Sequence, residues 1–164
     1  MKMVFCDIDG TLYRENEQIS PLNKEALTRF RDAGGQVVYC TGRHILEMNK
    51  ILEQDGYPFD YLVLNNGGAI LDSNKETLYE KHIEQSIGLD ILQWGVEANM
   101  FVHMCDGKNS YGCFNHQSFA HSDMGNIPIP DDYMTLMKES PSFQIISLNQ
   151  EDNQIDRINI IKKR

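Results

Sequence analysis

The chain has 164 residues, enough for one domain with a real core or for two small ones. Its 41% hydrophobic and 24% charged residues are ordinary for a soluble globular protein. With 24 acidic against 15 basic residues the net charge is −9, which repels nucleic-acid backbones but leaves room for a small phosphorylated substrate held by a metal and a few donors.

Met3 to Cys6 reads as a short buried strand, apolar on both faces as a parallel sheet requires. It runs into Asp7-Ile8-Asp9-Gly10-Thr11-Leu12, and Tyr13 to Ile19 is a polar loop. Ser20-Pro21 starts a helix, with Ser as cap and Pro at the first helical position. Leu22, Ala26, Leu27, Phe30 and Ala33 follow at helical spacing, and Gly34-Gly35 ends it. Gln36 to Cys40 is a second strand, leading straight into Thr41-Gly42-Arg43. A helix from about His44 to Gln54 presents Ile45, Met48, Ile51 and Leu52 on one side. Tyr61 to Leu64 is a third apolar strand, with Asn65-Asn66-Gly67-Gly68 as its exit.

Strand, helix, strand, helix, strand is the signature of a parallel α/β sheet. Ala69–Leu71 and Thr77–Tyr79 then flank a turn and read as a hairpin. Ile83, Ile87, Ile91, Trp94 and Ala98 predict a helix over 84–98, weakened by Gly88 and Gly95. Met100–Met104 and Tyr111–Phe114 form a second hairpin, 115–132 carries no periodicity, Asp131–Lys138 is a short helix and Phe143–Leu148 a strand. The change of texture places a domain boundary near residues 72–80, with 1–75 as the sheet core and 76–164 as an α+β domain.

Side chains alternate along a strand, so Asp7 and Asp9 point one way and Ile8 the other. Gly10 lets the backbone turn sharply away. Two carboxylates this close need a cation, a proton or a positive partner, and together they can bind a hard divalent metal and attack an electrophile. A strand ending in a polar turn is the plain alternative. Ligands in parallel sheets sit beyond the carboxyl ends of the strands. Asp7/Asp9, Thr41 and Asn65/Asn66 each fall just past the end of a different strand. Thr41-Gly42-Arg43 offers a hydroxyl and backbone N–H groups suited to phosphate; a simple N-cap is the alternative for Thr41.

The string Asp7-Ile8-Asp9-Gly10-Thr11-Leu12 resembles the first motif of the haloacid dehalogenase (HAD) superfamily. Thr41-Gly42-Arg43 resembles its second motif in the Cof-type branch, and Asn66-Gly67-Gly68-Ala69 resembles the Asn-Gly-Ala that follows the third strand there. The resemblance covers residues 3–71 and implies a partial Rossmann-like core with an inserted cap. It also implies a hydrolase of phosphate monoesters, of sugar-phosphate type. Carried over by position, Asp7 is the nucleophile that forms an aspartyl phosphate. Asp9 is the general acid and base. Mg²⁺ is held by the Asp7 carboxylate and the Asp9 backbone carbonyl, Thr41 holds a phosphate oxygen with Gly42, Arg43 and Asn66 around it, and Gly10 and Thr11 shape the loop.

That pattern also needs a later phosphate-holding lysine and an acidic Gly-Asp-x-x-Asn-Asp motif, and neither is found. Asp131-Asp132 lacks a preceding apolar strand, and Lys162 and Lys163 sit at the terminus. The chain is therefore expected to stop inside the cap. Two other functions stay open: an incomplete fragment acting as a binding or homo-oligomerising module, its sheet edge covered by a partner, and a phosphoryl transferase. His103, Cys105, Cys113, His116 and His121 could gather around zinc on a hairpin, or serve only in packing and at the surface; His103, His116 or Arg43 could touch a leaving group. Cys6 and Cys40 sit in apolar runs as small hydrophobes. The start lacks a signal peptide, and no apolar run approaches the length of a membrane span. The expected setting is cytoplasmic and reducing.

Overall fold

A computed structural model describes residues 1–13, 18–97, 101–107, 109–112, 127–128 and 145–149. They fall into two compact units, Met1–Lys81 and His82–Arg164. In the first unit β1 (Lys2–Asp7), β2 (Gly35–Cys40), β3 (Tyr61–Leu64), β4 (Ala69–Asp72) and β5 (Thr77–Glu80) make one sheet in that spatial order. β1, β2 and β3 run parallel, joined through α1 (Pro21–Asp32) and α2 (Ile45–Asp55). β4 and β5 continue the sheet antiparallel as a hairpin.

The parallel register aligns the strand ends. Asp7 pairs with Cys40, and Cys40 with Val63, so the last residues of β1 and β2 and the next-to-last of β3 form one lateral row. β2 lies inside the sheet and buries Val37, Val38 and Tyr39 on both faces. Ile8, Met48, Leu62 and Leu64 complete the densest part of the core, and the Tyr39 ring lies 6.2 Å from both Tyr57 and Phe59.

β1 departs from the sequence expectation of a strand buried on both faces. Among the described residues it pairs with β2 alone. Val4 and Cys6 are half-buried, while Met3 and Phe5 are 37% and 63% exposed. α1 begins as predicted: the Ser20 hydroxyl accepts the Asn23 N–H at 3.2 Å and Pro21 opens the first turn. Leu27 is buried and Phe30 partly so, but Leu22 and Ala26 face solvent, so the buried stripe is narrower than the apolar spacing suggests. α2 buries Met48 and half-buries Ile45, Ile51 and Leu52.

The second unit pairs α3 (Gln85–Glu97) with a four-stranded sheet ordered β8-β7-β6-β9: β6 is Phe101–Cys105, β7 Ser110–Gly112, β8 Ile127–Pro128 and β9 Ile145–Asn149. The helix is where the apolar spacing predicts, yet its buried stripe is Gly88, Leu92 and Gly95, at i, i+4 and i+7. Ile87 is 49% exposed. The glycines that weaken the helix by propensity thus lie on its buried side. The two-residue β8 lies in the stretch without periodicity; the helix expected over Asp131–Lys138 lies outside the described residues.

Candidate active site

β1 ends at Asp7, and the chain then folds back on itself. Gly10, at φ 77°, takes the left-handed conformation the reversal needs and donates its N–H to the Tyr13 carbonyl at 2.9 Å. Tyr13 N–H donates to Ile8 carbonyl at 2.8 Å. Ile8 is fully buried while Asp7 and Asp9 are exposed, the alternation expected from the sequence. The Thr11 hydroxyl donates to Asp7 Oδ2 at 3.0 Å, which fixes one carboxylate oxygen.

β2 ends at Cys40. Thr41 extends the pairing by donating its N–H to Val63 carbonyl at 2.9 Å, and it is buried at 6% exposure. Its Oγ1 accepts the Arg43 N–H at 3.1 Å, which leaves the hydroxyl proton available to donate to an anion. Thr41 caps no helix: His44 occupies the N-cap of α2, and Glu47 Oε2 accepts the His44 N–H at 3.3 Å.

The exit from β3 is a single 3₁₀ turn, Asn65–Gly67, with three consecutive positive φ values of 53°, 54° and 96°. Asparagine tolerates this region better than other side-chain-bearing residues. The turn is sewn to the neighbouring loop. Asn66 N–H donates to Thr41 carbonyl and Asn65 N–H to Arg43 carbonyl, each at 3.1 Å. A Cβ at Gly42 would lie 3.2 Å from Asn66 Oδ1 and 3.3 Å from Nδ2, so glycine is what lets the Asn66 carboxamide lie across the loop.

These three strand exits enclose a cleft of about 280 Å³ that Asp7, Thr41, Gly42 and Asn66 line. Cys40, Val63 and Gly67 line it too, and the sequence reading missed them. Cys40 and Val63 stand in the lateral row with Asp7, so aligning the ends of the predicted strands to within a residue would have found them. The cleft's volume lies near the lower end of the roughly 300 to 1,000 Å³ usual for small-molecule sites.

Arg43 does not line this cleft. Its guanidinium grips Asp9 instead: Nη2 donates to Oδ1 at 2.7 Å, and Nε donates to Oδ2 at 2.9 Å and to Oδ1 at 3.2 Å. The hydrogen bonds from Arg43 hold the Asp9 carboxyl below the usual range, against a smaller opposing effect of burial. Burial raises the Cys40 thiol, and the nearby Asp7 charge adds to it. Cys40 therefore stands beside Asp7 as a neutral thiol.

Asp7 keeps one carboxylate oxygen clear of the Thr11 bond, while the Asp9 carboxylate is occupied by Arg43. What the two residues can offer a metal is thus one carboxylate and the Asp9 main-chain carbonyl, a hard-oxygen set that suits Mg²⁺ retaining several waters. Among the described residues, no group of three or more His, Cys, Asp or Glu could hold a metal ion. His103 and Cys105, two apart on β6, are both buried; Cys113, His116 and His121 lie outside the described residues. Cys6, Cys40 and Cys105 are in no disulfide.

A family model for haloacid dehalogenase-like hydrolases matches residues 4–163. The 5-amino-6-(5-phospho-D-ribitylamino)uracil phosphatase YwtE of Bacillus subtilis is 27% identical over 124 residues, 76% of this chain and 42% of that protein. An HMP-PP phosphatase of Yersinia pestis is 31% identical over 103 residues, 63% of this chain and 37% of that protein. The chain thus spans about two fifths of the length of these relatives. The crystal structure of TM0651 from Thermotoga maritima superposes with a TM-score of 0.80 at 16% identity, over 99% of this chain and 62% of that one, a likeness of fold.

Proposed function

This chain belongs to the haloacid dehalogenase-like hydrolases, and from that premise we propose that it carries the nucleophile-bearing portion of a phosphoric monoester hydrolase. The substrate is a small phosphorylated metabolite of sugar-phosphate type. The observation that carries the reading is that Asp7 and Thr41, from the ends of adjacent parallel strands, line one cleft, and that Asp7 is open to solvent. The names of the two phosphatase relatives support the same class of reaction.

In this reading the Asp7 carboxylate attacks phosphorus. The bond to the leaving oxygen breaks, that oxygen takes a proton from Asp9, and an aspartyl phosphate forms on Asp7. Water then attacks this phosphorus, giving its proton to Asp9 and releasing phosphate. Thr41 donates its hydroxyl proton to a phosphoryl oxygen, Thr11 keeps Asp7 oriented, and Asn66 presents its carboxamide at the cleft wall. The grip of Arg43 favours the ionised Asp9 that the second step uses; the first step requires a proton to reach Asp9. Mg²⁺ would be held by Asp7 and the Asp9 carbonyl. Its charge would offset the repulsion between a carboxylate and an anionic phosphate.

The test is hydrolysis of a generic aryl phosphate by the chain with Mg²⁺. Turnover is expected, is lost in Asp7→Asn and on chelation of the metal, and falls about 10²- to 10⁴-fold in Asp9→Asn. A wild-type chain that releases no phosphate would sink this reading. It would leave the second one, a binding or oligomerising module, which one observation favours: among the described residues β1 pairs with β2 alone, and it bears the exposed Phe5.

A further inference from the structure

We propose that Arg43 is a positioning residue for Asp9 and not a ligand of the phosphoryl group. The inference deepens the reading above and rests on it for the role of Asp9.

Three features carry it. The guanidinium makes a forked contact with both Asp9 oxygens, from 2.7 to 3.2 Å. Such a fork sets the orientation of a carboxylate as well as its place. The Arg43 backbone is held on both sides, its N–H on Thr41 Oγ1 and its carbonyl on Asn65 N–H, each at 3.1 Å. The side chain therefore starts from a fixed point. Finally, Thr41, Gly42 and Asn66 line the cleft while Arg43 does not.

The result is a lateral chain across three strand exits: Asn65 after β3 holds Arg43 after β2, which holds Asp9 after β1. An ion pair with side chains 37% and 53% exposed contributes little to stability. Its consequence is geometric. Asp9 lies past the end of β1, on a reversal, and Arg43 ties it to the loop that leaves β2, an interior strand of the sheet. The same loop that offers Thr41 to the phosphoryl group therefore also sets where the proton-transferring carboxylate stands.

The experiment compares the wild-type chain with Arg43→Ala and Arg43→Lys, using an aryl phosphate with Mg²⁺ and, separately, inorganic phosphate. In Arg43→Ala, kcat is expected to fall about 10²-fold, the scale of a misplaced catalytic group. KM and the affinity for inorganic phosphate stay within about twofold, as for an interaction that does not bind ground-state substrate. Added guanidinium should restore part of the lost kcat, and Arg43→Lys should recover little because it has no fork. The inference is overturned if KM and the phosphate dissociation constant rise about tenfold or more with kcat spared, as loss of a charge-assisted phosphate contact would give. It is equally overturned if kcat, KM and phosphate affinity are all unchanged.

Should the wild-type chain turn over nothing, the proposed function fails, and the Arg43 Nε–H resonance decides this inference separately. A signal moved by Asp9→Asn but not by inorganic phosphate supports it. A signal that follows phosphate overturns it.

Discussion

Asp7, Thr41 and Asn66, which line the cleft, were legible as candidates because each sits at the end of an apolar run, and a strand delivers its next polar residue to the sheet's edge; Asp9, read from the same run, stands outside that lining. What each does there depended on neighbours distant in sequence. Arg43, read as a companion of phosphate, reaches Asp9 across 34 positions. Gly42, read as a phosphate-loop glycine, makes room for Asn66. A Gly42→Ala variant is thus expected to push the Asn66 carboxamide by a few tenths of an ångström into the cleft. The outcome to look for is a raised KM for aryl phosphate, with the thermal unfolding midpoint almost unmoved.

At the scale of elements, one staple holds the parallel layer together below the site. Arg31, in the last turn of α1, donates to both oxygens of Asp60, from Nε at 3.1 Å and Nη2 at 3.0 Å. Asp60 Oδ2 also accepts the Val37 N–H at 2.7 Å, and Asp60 N–H donates to the Val37 carbonyl at 2.8 Å. Helix α1, strand β2 and the start of β3 are thereby fixed around one carboxylate. The bond from Arg31, with that from Val37 adding to it, holds Asp60 below the ordinary aspartate value of 3.8. A depressed folded pKa stabilises above the unfolded value and loses that contribution as pH falls through the folded one. Asp60→Asn is therefore expected to lower unfolding free energy by about 1.5–3 kcal/mol at neutral pH, the worth of hydrogen bonds to a charged group. The gap between wild type and variant in denaturant melts should close as pH drops below 3.8. None of this staple was read from the sequence, because Arg31 and Asp60 look like ordinary polar residues at a helix end and before a strand. Only the parallel register brings them together.

At the scale of the molecule, β1 pairs with β2 alone among the described residues, and Phe5 and Met3 on it are exposed. Exposed apolar edge strands pair with other chains unless charge or a covering element prevents it. Phe5→Lys is accordingly expected to reduce concentration-dependent association in light scattering, with the far-UV circular dichroism unchanged. Equal association in wild type and variant would mean that β1 is not where chains meet.

The alternation of apolar strands with amphipathic helices determined the α/β unit from the residues alone, and the Asp7-to-Leu12 string determined the kind of chemistry to look for. Both depend on local periodicity and backbone geometry, which short stretches of chain carry in themselves. Only the tertiary structure decided that Phe5 and Met3 of β1 are exposed, that Gly88 and Gly95 are buried, and that Arg43 holds Asp9. Each of those follows from how elements pack and pair, which brings together residues that no local pattern relates.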